Sequence, residues 1–150
     1  MKKRQKRLVA SNRRAHYEYE ISDTFEAGLV LSGTEVKSLR QGHAVIGDGY
    51  VQIKNDEAWI YQIHINEYSH GHRDNHEPKR PRKLLLSHRE IQRIKKKVAQ
   101  NGFSAIPISL YFQGPWAKLE IGIGRGKKLY DKRQSEKAKT QKREMRRMEY

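Results

Sequence analysis

Basic charge is concentrated in two segments of this 150-residue chain, and this limits what can fold. Residues 1–14 carry seven lysines or arginines and no acidic residue, while residues 125–150 carry eleven against four acidic residues. Residues 15–124 are nearly neutral, with fourteen basic and thirteen acidic residues. Because runs of like charge stay solvated, only the central part is expected to form a packed core. We predict a basic N-terminal arm over residues 1–14, one domain over 15–125 and a basic tail over 126–150.

The excess charge predicts a polyanionic partner. A net charge of +15 with two solvated basic segments is the electrostatic signature of a nucleic-acid-binding protein. The chain contains no cysteine, which excludes disulfides and thiolate metal sites and suits a reducing compartment. No apolar run has the length of a signal peptide or a membrane span. We therefore expect a cytoplasmic protein without a membrane anchor, acting as a monomer.

Alternating apolar residues predict several short strands. Tyr17, Tyr19 and Ile21 alternate with glutamates, and residues 25–31 form a second extended segment. Residues 50–54 and 58–65 flank Asn55-Asp56-Glu57, a sequence suited to a turn, and so predict a hairpin. The buried face of that hairpin is expected to hold Trp59, Tyr61, Ile63 and Ile65.

A second hairpin is predicted around Gly114-Pro115, because apolar residues alternate over 106–112 and again over 119–123. Pro107 has no backbone N–H to donate, which favours an edge or a bulge at that position. The two hairpins together indicate an antiparallel β domain.

A helix is predicted between the hairpins. Ser87 and Glu90 form a capping box, Leu86 and Ile91 suit a hydrophobic staple, and Gly102 supplies a stop. The buried stripe is expected to consist of Ile91, Ile94 and Val98. We interpret the opposite side as a solvated face, in preference to a direct RNA contact, and it carries Arg89, Arg93 and Lys96. A shorter helix is predicted over residues 34–39.

These elements predict a mostly β fold with short helices, of the α+β class. Several antiparallel strands in one small domain favour a small closed barrel of the oligonucleotide-binding type. Residues 66–82 show no periodicity, and a loop of that length in a compact domain is expected to be functional or disordered.

Histidines and acidic residues raise the alternatives of a metal site or an enzyme. No familiar ligand spacing connects the histidines His64, His70, His72 and His76, so we expect them to hydrogen-bond protein or RNA. No recurring spacing typical of a two-metal nuclease connects the carboxylates Asp23, Glu26, Glu35, Asp48 and Asp56. We predict no metal, no cofactor and no catalytic activity.

Aromatic residues near cations are suited to stacking on RNA bases. We interpret Trp59 and Tyr61 as packing residues, leave packing and stacking open for Trp116, and favour recognition for Tyr130 in the basic segment. The tail is rich in helix-forming residues but poor in apolar ones. We therefore predict that it is disordered when free and helical when bound to RNA.

Six short blocks occur along the chain in a distinctive order: Asn12-Arg13-Arg14-Ala15, Phe25-Glu26-Ala27-Gly28-Leu29, Gly33-Thr34-Glu35-Val36-Lys37-Ser38-Leu39-Arg40, Arg82-Lys83-Leu84-Leu85-Leu86, Leu110-Tyr111-Phe112, and Gly126-Lys127-Lys128 with Asp131-Lys132-Arg133. Together they resemble the small protein B (SmpB) family, the partner of transfer-messenger RNA in bacterial ribosome rescue. The resemblance runs over nearly the whole chain.

The resemblance implies an oligonucleotide-binding barrel that grips the tRNA-like domain of transfer-messenger RNA and works without catalysis. It also implies that the RNA, this protein and elongation factor Tu with GTP enter a stalled ribosome together. The tail would then occupy the vacant decoding site and mRNA channel, against 16S rRNA. An alternative left open by composition is a structural ribosomal protein whose basic segments thread through ribosomal RNA.

The resemblance implies RNA-binding importance for Glu26 and Leu85 and a decoding-site role for Lys127, Lys128, Tyr130, Asp131, Lys132 and Arg133. The residues alone leave a structural ion pair open for Glu26 and favour core packing for Leu85. RNA binding is also expected of Asn12, Arg13, Arg14, Arg82, Lys83, Trp116 and Lys118, and Gly126 is included in the decoding-site segment.

Overall fold

The computed structural model describes residues 6–70, 75–100 and 102–127. These residues form the strands and helices β1 (Lys6–Ser11), α1 (Ala15–Glu18), β2 (Tyr19–Leu29), α2 (Gly33–Arg40), β3 (Ala44–Val45), β4 (Tyr50–Lys54), β5 (Glu57–Tyr61), β6 (His64–Ile65), β7 (Arg82–Leu85), α3 (His88–Val98), β8 (Phe103–Gln113) and β9 (Trp116–Gly126). The predicted mostly β fold with short helices is confirmed. The prediction of a tail that is disordered when free falls on residues outside the described part from 128 onward, and His72 also lies outside it.

Seven antiparallel strands form one sheet in the order β1-β8-β9-β2-β7-β5-β4, and β3 pairs with β6 in a small second sheet. The predicted closed barrel is not found, because no ladder among the described strands joins the edge strands β1 and β4. β4 contacts β8, and β1 pairs with β8 only from Ser109 to Gln113. A Cβ on Gly49 would lie 2.9 Å from the ring of Pro107, so the approach occurs at a residue without an N–H to donate. The sheet curls toward closure and remains open there.

The first predicted hairpin is confirmed, but its buried face is not the predicted one. Asn55 and Asp56 have φ values of 50° and 57°, the left-handed conformation of a two-residue hairpin turn. Ala58 and Ile60 are fully buried, so the alternating Trp59 and Tyr61 point away from the core. Gln62 has a φ of 62° and ends the strand, after which Ile63 and Ile65 are buried as predicted. This break in phase explains why a single alternating pattern over 58–65 was wrong.

β8 and β9 form the second predicted hairpin. Their register shifts between Pro107 and Ser109, which confirms the predicted bulge. β8 is an interior strand, however, since β1 pairs along its other side. β1 was not predicted, because its basic residues were assigned to an N-terminal arm over residues 1–14. In the described part of that segment, residues 6–11 form a strand that pairs with β8.

The two extended segments predicted up to Ile21 and from residue 25 are parts of one strand, because β2 runs unbroken from Tyr19 to Leu29. The prediction of two separate segments is therefore wrong. A register shift between Ile21 and Asp23 interrupts the alternation without ending the strand. Tyr17 belongs to the short helix α1, whose first turn is fixed by a 2.8 Å hydrogen bond from the Glu18 N–H to the Arg14 carbonyl.

Both predicted helices are present. Ser87 and Glu90 form the expected capping box at α3, and α2 has a second capping box from Ser32 and Glu35. The α3 stripe is buried at Ile91 and Ile94, which pack into the core with the inward residues of the large sheet, whereas Val98 is 37% exposed. Within the described residues, no helix is both long and apolar enough to cross a bilayer.

Candidate nucleic-acid interface

Several predicted RNA-binding residues lie on the outer side of the large sheet. Their inward neighbours Leu110, Leu119, Ala27 and Leu84 are buried in the core, so the alternating positions face away from it. Strand pairing places Leu8, Tyr111, Lys118, Gly28 and Leu85 side by side in one row across β1, β8, β9, β2 and β7. We call this surface the outer sheet face and define it as Leu8, Glu26, Gly28, Lys83, Leu85, Tyr111, Trp116 and Lys118.

Glu26 is held in place on this face by Tyr111. The tyrosine hydroxyl donates a hydrogen bond to Oε2 of Glu26, and Lys6 Nζ lies 3.8 Å from the same oxygen. Burial and the Glu26 carboxylate raise the pKa of Tyr111 well above its usual value, so the hydroxyl stays a donor. Among the described residues, Oε1 of Glu26 has no hydrogen-bond partner. This oxygen is therefore available to accept a bond from a base amine or a 2′-hydroxyl.

Leu85 is an exposed apolar side chain on the same face of the sheet as Glu26. It is 56% exposed, whereas its neighbour Leu84 is buried in the core. Gly28 lies opposite Leu85, and a Cβ on this glycine would come 3.3 Å from the Leu85 Cβ. The glycine thus leaves Leu85 room to lie over β2. An exposed leucine in this row supplies an apolar surface for a base or a sugar.

Lys118 and Trp116 extend the face along β9. Lys118 pairs across the sheet with both Gly28 and Tyr111, so it lies in the same row as Leu85 and on the same face as Glu26. Trp116 lies two residues earlier on the same side, at the hairpin end, and is 62% exposed. Lys83 on β7 lies 3.5 Å from Glu57, an exposed ion pair that a phosphate can displace at little cost.

Asn12, Arg13 and Arg14 form a separate basic turn. Asn12 is buried: its Nδ2 donates to the Pro107 carbonyl over 3.0 Å, and its Oδ1 accepts from the Arg14 N–H over 3.3 Å. Arg13 and Arg14 are exposed beside a cleft of about 610 Å³, closed on its other side by residues 44–48. Asn12 therefore shapes the turn, while the two arginines present charge to solvent.

Arg82 does not lie on the outer sheet face. The prediction that its side chain contacts RNA directly is therefore wrong. Its side chain is fully buried and forms an ion pair with Glu35. Its Nη1 donates to the Ile63 carbonyl over 3.1 Å and its Nη2 to the Pro78 carbonyl over 2.9 Å. All three guanidinium nitrogens are used within the protein.

Glu35 is the centre of this buried cluster, a role that its sequence block did not reveal. Its carboxylate accepts from Arg80, from Arg82 and, over 2.9 Å, from the Ser32 N–H. Burial opposes its ionisation, but these donors hold the pKa of Glu35 below its usual value. Burial lowers the pKa of Arg82, and Glu35 offsets part of that effect.

His76 ties the long loop to the same region. One ring nitrogen lies 2.9 Å from the Thr34 hydroxyl and the other 2.9 Å from the Ile65 carbonyl. This histidine thus has the expected protein hydrogen bonds. Among the described residues, no three histidine or acidic side chains are grouped closely enough to hold a metal ion.

Two of the tail residues are described. Gly126 pairs with Tyr19 at the end of β9, and the Lys127 N–H donates to the Glu18 carbonyl over 2.7 Å. The tail therefore leaves the sheet beside α1. The remaining predicted decoding-site residues, which lie outside the described part, are Lys128, Tyr130, Asp131, Lys132 and Arg133.

The family model described as "SmpB protein" matches residues 9–149. The chain belongs to the SmpB family. The match covers the outer sheet face apart from Leu8, the basic turn and almost all of the tail, so the family resemblance of the sequence blocks is confirmed.

SmpB-family relatives match the chain over nearly its whole length. An SsrA-binding protein of Acidothermus cellulolyticus is 52% identical over 130 residues, covering 87% of this chain and 82% of the relative. The SsrA-binding protein of Streptomyces coelicolor is 50% identical over 143 residues, covering 95% and 90%. A chain of a solved structure described as "tmRNA-SmpB: a journey to the center of the bacterial ribosome" superposes with a TM-score of 0.68 at 40% identity, covering 80% of this chain and 85% of that one.

Proposed function

We propose that this SmpB-family chain binds the tRNA-like domain of transfer-messenger RNA (tmRNA) and acts as the RNA-binding adaptor of trans-translation. The observation that carries the proposal is the family match over residues 9–149. Curated relatives at about half identity are SsrA-binding proteins, and the matching solved structure is described with tmRNA and the ribosome.

The outer sheet face is the surface we assign to tmRNA. Lys118 supplies a cation for phosphate, Leu85 supplies an apolar contact, and Oε1 of Glu26 supplies an acceptor. Charge alone would give affinity without selectivity, whereas a fixed acceptor reads base edges or 2′-hydroxyls. Arg13 and Arg14 add phosphate contacts from the basic turn. Arg82 acts indirectly, by holding β7 and therefore Leu85 in position.

The tail is proposed to test whether the ribosomal mRNA channel is vacant. Its residues from Gly126 onward would enter the decoding site against 16S rRNA, and mRNA already in the channel would exclude them sterically and electrostatically. Elongation factor Tu with GTP would deliver the complex. The protein itself acts as a cytoplasmic monomer and contributes position and charge without a cofactor or a catalytic group.

A chain ending after Lys127 tests this division of labour. Ending there, and not after Arg125, retains the Gly126–Tyr19 pairing and the Lys127–Glu18 hydrogen bond. The shortened protein is expected to bind tmRNA within about threefold of the full chain at matched salt, since the outer sheet face is intact. Peptide tagging on stalled ribosomes should be lost.

Normal tagging by the shortened chain would contradict the tail assignment. Equal affinity of the full chain for tmRNA and for an unrelated structured RNA would contradict the adaptor role itself. A protein that stays with ribosomes in high salt and does not follow tmRNA would point to a structural ribosomal component.

A further inference from the structure

The cleft beside the basic turn lies between two strand edges. It has a volume of about 610 Å³ and is lined by residues 8–14, which include most of β1, and by residues 44–48, which include β3. β1 is an edge strand of the large sheet, and β3 pairs with β6 alone among the described strands. No ladder of the described strands therefore pairs either strand on its cleft side. We call this space the edge cleft.

At Ser11, the backbone of β1 offers a donor and an acceptor on its open side. Ser11 pairs with Ser109, and the N–H of the following Asn12 donates to the Ile108 carbonyl over 2.8 Å. In an antiparallel ladder, this pattern marks a pair of residues that do not exchange hydrogen bonds with each other. The N–H and C=O of Ser11 therefore point away from β8.

The same pattern occurs at Ala44 in β3. Ala44 pairs with Ile65, and the Asn66 N–H donates to the His43 carbonyl over 3.1 Å. The N–H and C=O of Ala44 therefore point away from β6. Ser11 and Ala44 both line the edge cleft, so hydrogen-bonding groups of two strand edges border the same space.

Exposed aliphatic side chains line this cleft as well. Leu8 on β1 is 64% exposed, and Val45 on β3 is 61% exposed. A single exposed aliphatic residue is common on a protein surface, but here two flank an open strand edge. Backbone groups and apolar side chains in this combination are what strand addition uses, because the backbone gives affinity and the side chains give specificity.

Basic residues lie at both ends of β1. Lys6 and Arg7 begin the strand, Arg13 and Arg14 follow it, and Asp48 is the one acidic residue that lines the cleft. Charges on an edge strand prevent pairing with a like-charged strand. They disfavour a second copy of this chain, whose net charge is +15, and the segment from residue 128 onward, which carries nine basic and four acidic residues. The same cations favour an acidic partner.

A peptide fits the edge cleft better than RNA does. No aromatic residue is among those that line the cleft, so bases have no ring on which to stack. An RNA backbone also lacks the alternating N–H and C=O groups that complement a strand edge.

We propose that the edge cleft binds an extended acidic segment of a protein partner, which adds to β1 as a further strand. Its backbone bonds to Ser11, its apolar side chains contact Leu8 and Val45, and its carboxylates bind Arg13 and Arg14. The inference goes beyond the proposed function. The segment shares Leu8 and the two arginines with the surface assigned to tmRNA and leaves the rest of the outer sheet face open.

A designed peptide tests the cleft in the full chain. The probe is fluorescent acetyl-Glu-Glu-Val-Thr-Val-Glu-Glu-amide, and its counterpart carries lysine in place of each glutamate. Only the acidic peptide should bind. Val45→Glu should weaken its binding at least about tenfold, because a carboxylate then faces the acidic segment. Val98→Glu is the matched control, the same change at an exposed valine on α3, and should leave binding unchanged.

A second pair of variants tests backbone pairing separately from charge. Ser11→Pro removes the outward N–H and keeps the hydrogen bonds to β8, so peptide binding should fall at least about tenfold. Ser11→Ala keeps the N–H and should bind normally. Thermal melting of all four variants checks folding.

Amide hydrogen exchange in the unmodified protein needs no variant. Saturating peptide should slow exchange of the Ser11 amide at least about tenfold, because the peptide then holds its N–H. The Asn12 amide is already bonded to Ile108 and should exchange slowly with or without the peptide.

Several results would overturn the inference. These are no binding of the acidic peptide at about 1 mM, binding that Val45→Glu and Ser11→Pro leave unchanged, or a Ser11 amide that the peptide does not protect. Binding of oligouridylate that Val45→Glu weakens as strongly as peptide binding would assign the cleft to RNA. Self-association of the chain that Ser11→Pro abolishes would assign it to a second copy.

The proposed function is tested apart from this inference. Val45→Glu should keep the preference for tmRNA over an unrelated structured RNA, since Val45 lies outside the outer sheet face. Absence of that preference in the unmodified protein would overturn tmRNA binding, whereas peptide binding would still decide the role of the edge cleft.

Discussion

Arg82 donates a hydrogen bond from Nε to the carboxylate of Glu35, and neither side chain is exposed to solvent. The pair joins α2 to β7, and through the Ile63 carbonyl it also holds the segment before β6. A buried ion pair of this kind persists only when its remaining donors and acceptors are satisfied. Here that condition is met, since Arg80 and the Ser32 N–H bind the rest of the carboxylate.

Arg82→Met should lower the free energy of unfolding by about 3 kcal/mol or more, because it leaves a buried carboxylate with fewer partners. Urea denaturation measures the change. Arg80→Met is the matched control, since Arg80 binds the same carboxylate but its side chain is 35% exposed, and it should cost clearly less. Equal losses in the two variants would show that burial of Arg82 is not what matters.

The Glu35 carboxylate should make stability sensitive to acid. Its pKa is lower in the folded protein than the ordinary value of 4.5, so its contribution is complete above that value and is lost as the pH falls through the lower folded pKa. In Glu35→Gln, the free energy of unfolding should therefore depend less steeply on pH below about 4.5. The exposed Asp48→Asn serves as the comparison. An unchanged acid slope in Glu35→Gln would rule out this linkage.

Adjacent leucines on β7 should separate folding from binding. Leu84→Ala should lower the free energy of unfolding by about 2–5 kcal/mol, because this side chain is 1% exposed in the core. Leu85→Ala should change stability little and weaken tmRNA binding, because Leu85 lies on the outer sheet face. Denaturation and binding at fixed salt test both variants. A Leu85→Ala protein that is destabilised but binds normally would make Leu85 a packing residue only.

Local patterns in the sequence predicted those elements whose signals are also local. The capping box at Ser87 and Glu90 marks the start of α3, and Asn55-Asp56 marks a hairpin turn, since each depends on residues close in the chain. Trp59 was assigned to the wrong face because alternation gives two equivalent faces, and only the partner strands decide which one is buried.

Features that depend on distant residues were not predicted. Leu8 belongs to a strand only because β8 offers an unpaired edge to a short basic segment. Arg82 reads as a surface cation, and its burial follows from Glu35, 47 positions away along the chain. The family blocks contained Glu26 and Tyr111, but nothing local connects these two residues across 85 positions. Sequence therefore indicated candidate site residues, and the fold distinguished the exposed candidates from the buried ones.

The Tyr111–Glu26 hydrogen bond should control how well Glu26 accepts a bond from RNA. Tyr111→Phe removes the donor and keeps the ring, so affinity for tmRNA should fall by about 1 kcal/mol, or about fivefold, without a change in the salt slope. Glu26→Gln should also weaken binding, and the double variant should lose less than the sum of the single losses because the two groups act together.

Lys118→Gln supplies the contrast, because removing a cation that binds one phosphate should flatten the salt slope by about 0.9. Binding isotherms across a salt series resolve all four variants. Strictly additive losses for Tyr111→Phe and Glu26→Gln would mean that the hydroxyl does not orient the carboxylate. A flattened slope in Tyr111→Phe would mean that the substitution disturbs a cation such as Lys6, whose Nζ lies 4.9 Å from the centre of the Tyr111 ring.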